Sequence, residues 1–501
     1  MSPTFPRAVR ELLLRSEYSA DGIARIGIDV GMGVRAPDVP VLLRALEPVE
    51  PLATLVRLFV LGVAVREAAL PEQVRDAAPA LHEAGLTRRA GDRVEPIVRL
   101  TPWRGLILAH DPDPPGDFWA EHVSGPTPAA DSLLRLVSAN GGRALDVGTG
   151  CGVFALALAG GQSTVVATDL NPAAVRYAAL NAALNDVLNL ETRAGNLLEP
   201  VAGRSFDLIV SNPPFVISPD SAFLFRHSEF GRDEISRELV RSAAGHLAEG
   251  GFAYLLVNWV QPTAARWTDV LAEWLEDTGC DAVCLLHGIE DPLSYAVRWN
   301  GREQQLRPER HGATLDRWLA HFRTQGVAAI GSGAVILRRR TGRPWLHGLD
   351  LAGDSRGHAG PHVQAIFAAR DLLTATGDGP SGDARLLSAA VRMRHPHRLV
   401  QTLVTRSGEY VGEPAVLALD EGLALSVAVE PDMIPVLLRL DGAQVGLDIA
   451  REIADATGQD VDATGAQVAA FLRRLLSHGM LEPVASRNDE SHATFPPIRA
   501  T

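Results

Sequence analysis

The stretch RALDVGTGCGVFALALA, residues 143–159, constrains the fold more than any other part of this 501-residue chain. An apolar strand, Ala144 to Val147, runs into a turn carrying Gly148, Gly150 and Gly152, and an apolar helix begins at Val153. Glycine alone lets a backbone turn this sharply and approach a ligand this closely. The first turn of the helix beyond it leaves N–H groups free for carboxylate or ribose oxygens. A strand–glycine–helix unit of this kind belongs to a parallel α/β sheet, but it serves many nucleotide-binding proteins, so its neighbours must decide what it binds.

Those neighbours follow at regular intervals. A second strand, STVVATDLNP, ends in Asp169, placed to accept from both hydroxyls of a ribose. Asn171 and Pro172 then supply an N-cap and a first helical residue, with Val175, Ala179 and Ala182 at helical spacing. A third strand-like run ends at Gly195-Asn196, and a fourth, FDLIVSNPPF, delivers Asn212-Pro213-Pro214-Phe215. The order GTGCG, Asp169, Asn196, NPPF resembles the class I S-adenosylmethionine-dependent N-methyltransferases. Within these it is similar to the HemK-like, "small-domain" group, which acts on glutamine amides of peptide-release factors and on exocyclic amines of rRNA bases. The resemblance covers roughly Ser124 to Arg340, and its most specific element is the NPPF tetrapeptide.

The resemblance implies S-adenosyl-L-methionine as cofactor, bound by Asp146, Gly148, Thr149, Gly150, Gly152, Asp169, Leu170, Asn196, Leu197 and Asn212. In that reading Gly148, Gly150 and Gly152 line the methionine moiety, Asp169 holds the ribose and Asn196 faces adenine. Position 196 departs from the many relatives that carry aspartate there; asparagine still accepts from the adenine amine but without charge assistance. The catalytic set it implies is Asn212, Pro213, Pro214 and Phe215. An amide or aromatic amine nitrogen is a poor nucleophile, so the site must position it and accept its hydrogens as it pyramidalises. The Asn212 side-chain oxygen and the Pro213 carbonyl are the expected acceptors, and Phe215 is expected to stack on the flat substrate.

The flanks read differently. Residues 1–115 are expected to form a helical, winged-helix-like module: Val41–Leu46, Leu52–Leu61 and Val74–Leu81 are short helices, and RVEPIVRL with GLILAHD suggests two strands. A Pro-rich linker, Asp111 to Gly116, leads into the methyltransferase core at 116–342, where Thr127 and Asp131 open a helix before the first strand. After NPPF, a polar and aromatic segment containing His227 and Glu229 is expected to cover the site, with neither residue assigned a catalytic role. Residues 343–485 form a second, α+β or winged-helix-like module with helices over MIPVLLRLDG, VGLDIAREIADATG and VAAFLRRLLSHGMLEP; 486–501 reads as a disordered tail. His347, His358 and His362 raise the question of a metal, but Gly360-Pro361 between the last two argues against one helix face presenting both. No metal is expected.

Composition bears on partners. All 47 basic Lys and Arg positions are arginine, against 60 acidic residues, for a net charge of −13. A chain this acidic is not a general nucleic-acid binder, although a local patch around Arg88, Arg89 and Arg93, or Arg473 and Arg474, would be where RNA docks. Cys151, Cys280 and Cys284 build no disulfide framework, the N-terminus has no signal-peptide pattern, and the apolar run Leu58–Val65 is too short to span a membrane, so a cytoplasmic location is expected. The sequence therefore predicts an α/β protein: a Rossmann-like, seven-stranded class I methyltransferase core between two accessory modules that dock the substrate. The acceptor is expected to be a protein glutamine-type amide ahead of an rRNA base amine. A small metabolite and a non-catalytic binding role stay open as alternatives.

Overall fold

The structure, a computed structural model, describes residues 7–28, 38–46, 50–113, 121–219 and 233–484. Its centre is a sheet of eight strands: β1 Arg143–Val147, β2 Thr164–Asp169, β3 Leu190–Ala194, β4 Phe206–Ser211, β5 Leu247–Gln261, β6 Cys280–Glu290, β7 Ala329–Arg339 and β8 Leu346–Asp350. Their spatial order is β3-β2-β1-β4-β5-β7-β6-β8. β1 to β5 pair in parallel, and β7 runs antiparallel to both β5 and β6. Strands β1, β2 and β4 are almost wholly buried because helices cover both sheet faces, which is why they read as continuous apolar runs and not as an alternation. The seven expected strands are joined by β8, which pairs in parallel with β6. Its sequence, LHGLD, is short and carries a glycine, so nothing local marks it as a strand.

Four helices position the site: α1 Pro128–Leu136, α2 Val153–Ala159, α3 Pro172–Leu184 and α4 Glu234–His246. Thr127 caps α1 by accepting from the Ala130 N–H at 3.3 Å, and Asn171 caps α3 by accepting from Ala173 at 2.9 Å. The core on one sheet face, including Val210, Tyr254 and Ile336, runs without a break into the C-terminal module through the helix Gly360–Thr376. That helix begins at Gly360-Pro361, with proline at a position where its missing N–H costs nothing.

The N-terminal segment folds as helices followed by a small sheet in which Arg93–Pro96 lies between Val65–Arg66 and Thr87–Ala90. The expected strand RVEPIVRL is two strands: after Pro96 the chain leaves this sheet, and Arg99–Trp103 forms a separate hairpin with Leu106–His110. The hairpin is fastened to α3 by side-chain amides. Asn181 accepts from the Ala109 N–H at 2.7 Å and donates to its carbonyl at 2.8 Å, and Asn185 treats Ile107 in the same way at 2.9 and 2.8 Å. The match is geometric: one helical turn, about 6 Å for four residues, equals two residues of strand, about 6.7 Å. Asn181 also donates to the Cys151 carbonyl at 2.8 Å, so α3 ties the N-terminal segment to the glycine turn.

Candidate active site

The strand order reverses between β2 and β4 on either side of β1, the place where open α/β sheets bind ligands beyond the carboxyl ends of their strands. Val147 of β1 pairs with Ser211 of β4, and the Ser211 hydroxyl donates to the Val147 carbonyl at 2.7 Å. Gly148 and Asn212 therefore leave the sheet side by side. The glycine turn and the NPPF segment, 64 positions apart in sequence by the same pairing, become one site.

Within the turn, Gly148, Gly150 and Gly152 have φ of 73°, 56° and 88°, the left-handed region that only glycine enters cheaply. Their surroundings separate them. A side chain on Gly148 or Gly150 would meet no described atom within 4 Å, whereas one on Gly152 would meet Leu156 at 2.7 Å and Ala178 of α3 at 3.1 Å. Gly148 and Gly150 thus face open space, and at Gly152 the absence of a side chain also lets α3 pack closely against the turn. Cys151 beside it is buried, and burial pushes its thiol up to about 12, so it packs as a small apolar residue.

Two carboxylates organise the turn. Asp146 is fully buried; its Oδ2 accepts from the Thr149 hydroxyl at 2.7 Å and the Ala155 N–H at 3.0 Å, while Oδ1 has no partner among the described residues. Burial raises its carboxyl to about 7, against those two hydrogen bonds and with a smaller push from Asp169. Asp169, at the end of β2, accepts from the Gly150 N–H at 2.9 Å and the Asn171 N–H at 2.8 Å, one on each oxygen. Burial raises its carboxyl too. Leu170 next to it is half exposed. β2–β3 pairing sets Asp169 opposite Ala194, so Gly195, Asn196 and Leu197 follow immediately beside it. The Gly195 N–H donates to the Asp169 carbonyl at 2.9 Å, and the Thr168 hydroxyl donates to the Leu197 carbonyl at 3.1 Å. Leu197 is held at φ 44°, a conformation that costs a branched residue about 1–2 kcal/mol. Asn196 and Leu197 also line a cleft of about 620 Å³ against α4.

In the NPPF segment Asn212 is half-buried and Pro213 buried. The Pro213 carbonyl accepts from the Phe215 N–H at 2.8 Å, so one of its two lone pairs is taken by the turn itself and one is left. Phe215 sits edge-on to Trp299 at 6.2 Å, with 75° between the planes, so that a neighbouring ring fixes the orientation of its faces. Pro214 is half-buried. His227 and Glu229 lie outside the described residues. His347 and His362 serve the C-terminal helix Val461–Ser477: they donate through Nε2 to the carbonyls of Ser477 and His478, each at 2.7 Å, and His362 accepts the Leu423 N–H on Nδ1 at 3.1 Å. Sequence reasoning missed Asn258 of β5 and Tyr295 of the helix after β6, which are buried and bonded to each other and, through Tyr295, to Ile217 just past NPPF; no spacing rule connects them to residue 212.

Residues 126–278 match the family model of the methyltransferase small domain, and residues 15–97 match a domain of unknown function, DUF7059. The chain is 37% identical over 147 residues to the release factor glutamine methyltransferase of Xylella fastidiosa strain Temecula1, an alignment covering 27% of this chain and 54% of that protein. It is 36% identical over 189 residues to the release factor glutamine methyltransferase of Deinococcus radiodurans, covering 32% and 64%. A Methanocaldococcus jannaschii protein, provisionally named a protein N5-glutamine methyltransferase, is 33% identical over 140 residues, covering 26% of this chain and 70% of its own length. The chain belongs to the HemK-like class I methyltransferases. It spans only 54% and 64% of the two release factor enzymes. The family match ends before β6, β7 and β8, and both flanking modules lie largely outside it.

Proposed function

We propose that the protein is an S-adenosylmethionine-dependent N-methyltransferase whose acceptor is the side-chain amide of a protein glutamine. The observation that carries the reading is the side-by-side exit of Gly148 and Asn212 from the sheet, with an unpartnered buried carboxylate oxygen, Asp146 Oδ1, at the base of the turn. A buried, unpartnered acceptor fits a ligand bearing a cationic amine. The residues present therefore fit S-adenosylmethionine: Asp146 and the Gly148–Gly150 backbone for the methionine end, Asp169 for the ribose, Asn196 and Leu197 for the adenine. When bound, the cofactor supplies an electrophilic methyl group on a sulfonium. The chain's own part is to orient the acceptor nitrogen and, through the Asn212 side-chain oxygen, to accept one of its hydrogens as charge develops.

The names of the relatives support a glutamine acceptor over a base amine, and so does the state of the arginines. Arg88 and Arg89 pair with Glu95 and Glu67 at 2.9 and 2.8 Å, and Arg473 pairs with Asp383 at 2.9 Å, so these cations are matched by the protein's own carboxylates. Arg473 is half-buried in that pair. The flanking modules are proposed to dock the acceptor protein. The test is to supply tritiated cofactor to a lysate from a deletion strain: label should enter a ribonuclease-resistant protein fraction and be found on glutamine in digests. Label confined to ribonuclease-sensitive material, or to small molecules, would overturn the acceptor.

The cofactor site has its own pH signature. Asp146 sits near 7 without ligand, and an ammonium group beside Oδ1 favours its ionised form. Binding therefore requires the deprotonated carboxyl, which is fully populated above that value and lost below it. The dissociation constant for S-adenosylhomocysteine should rise about tenfold between pH 8 and pH 6. In Asp146→Asn the rise should shrink to whatever Asp169, also shifted upward, contributes. Calorimetry giving a flat profile for the unmodified protein would refute the assignment of Asp146 to the amine.

A further inference from the structure

The tetrapeptide Asn212–Phe215 contains two prolines, which have no N–H with which to be held, and the Phe215 N–H is spent inside the turn on the Pro213 carbonyl. Its position must be fixed from the flanks. On the N-terminal side Ser211 does this through its bond to Val147. On the C-terminal side the Ile217 N–H donates to the Tyr295 hydroxyl oxygen at 3.1 Å, and the Asn258 side-chain amide donates to the same oxygen at 2.8 Å. Tyr295 is 0% and Asn258 2% exposed. Asn258 comes from β5 and Tyr295 from the helix Pro292–Trp299, whose start is fixed by Asp291 accepting from the N–H groups of Leu293 and Ser294 at 2.9 and 3.1 Å. The same helix supplies Trp299 against Phe215. Val216 and Ile217 are buried beside Tyr295 in a small separate core with Trp318, Phe322 and Val327.

We infer that Tyr295 is a positioning residue for methyl transfer: its hydroxyl, oriented by Asn258, anchors the main chain directly after NPPF and so sets where the Asn212 oxygen stands. The helix lies beyond residue 278, where the family match ends. The inference rests on the methyl-transfer reading for its rate measurement, and its structural measurement stands alone. Tyr295→Phe removes one oxygen and keeps the ring contacts with Trp299 and Phe322. Hydrogen exchange of the peptide spanning Val216–Ile217 should become faster by about tenfold or more, as expected when a local anchor is lost. Turnover on the labelled protein acceptor should fall by about tenfold to a hundredfold, as small misplacements do, while the dissociation constant for S-adenosylhomocysteine stays within about twofold. Val327→Ala, which thins the same small core without touching the hydroxyl, serves as the comparison and should leave both exchange at Ile217 and turnover unchanged. Unchanged exchange in Tyr295→Phe, or faster exchange with full turnover, would overturn the inference. Equal loss of turnover in Val327→Ala would reduce Tyr295 to a packing residue. Absence of transfer by the unmodified protein would instead count against the proposed function, and the exchange result would still decide whether the anchor exists.

Discussion

Asp281→Ala should cost about 3–5 kcal/mol of folding stability, the largest single effect expected outside the active site. Asp281, in β6, is 2% exposed, and its Oδ2 accepts from Arg338 at 2.7 Å and from Arg340 Nε at 3.0 Å. Arg338, in β7, also forks onto Asp371 of the helix Gly360–Thr376 at 2.7 and 2.6 Å, with its guanidinium 5.0 Å from the centre of the Phe367 ring. The carboxylates hold Arg338 above its ordinary value despite burial, so the cation stays charged when one partner is removed. Two guanidinium groups would then share one half-buried carboxylate. Because the network joins β6 and β7 to the helix that opens the C-terminal module, the loss should appear as lowered cooperativity as well as a lowered denaturation midpoint. Replacing Arg338 by methionine in the same variant should recover a good part of the loss, since an apolar pair needs no partner. A loss below about 1 kcal/mol in Asp281→Ala would mean that the cluster behaves as a surface pair.

How much of this was visible in the sequence follows from how local each feature is. The glycine turn, Asp169 and NPPF are each written within a few residues, and parallel pairing at β1, β2 and β4 makes their convergence a consequence of topology alone. The cap at Thr127, the cap at Asn171 and the helix Trp267–Leu275 are equally local, and each lies where turn chemistry and periodicity place it. β8 was hidden because a five-residue strand on a sheet edge carries no periodic signal, and it lies within the stretch read as the C-terminal module. Gly152 shows a subtler limit. Sequence marks three equivalent glycines, but only the packing of Ala178 against one of them reveals that Gly152 also makes room for α3. Tyr295 meets Ile217 across a separation of 78 residues and Asn258 across one of 37, and only the fold brings the three together.

Asn212→Ala should lower turnover by about 100- to 1,000-fold, about 2.7–4 kcal/mol in the barrier, while leaving the affinity for S-adenosylhomocysteine within a few-fold. The split follows from where the residue stands. Asn212 leaves the sheet beside Gly148, but the bonds that shape the cofactor side, from Gly150 and Asn171 to Asp169 and from Thr149 and Ala155 to Asp146, do not involve it. Its backbone is fixed on one side by Ser211 and on the other by the bond from Ile217 to Tyr295, so truncating the side chain removes an acceptor without releasing the loop. With the Pro213 carbonyl already engaged by Phe215, more of the work of accepting an N–H of the substrate falls to the Asn212 side chain than two free acceptors would require. Single-turnover transfer of tritiated methyl to the acceptor protein, alongside calorimetric binding of S-adenosylhomocysteine, checks both halves. Turnover within threefold of the unmodified protein would refute the catalytic role of Asn212. A binding loss as large as the turnover loss would move Asn212 from the acceptor side of the site to the cofactor side.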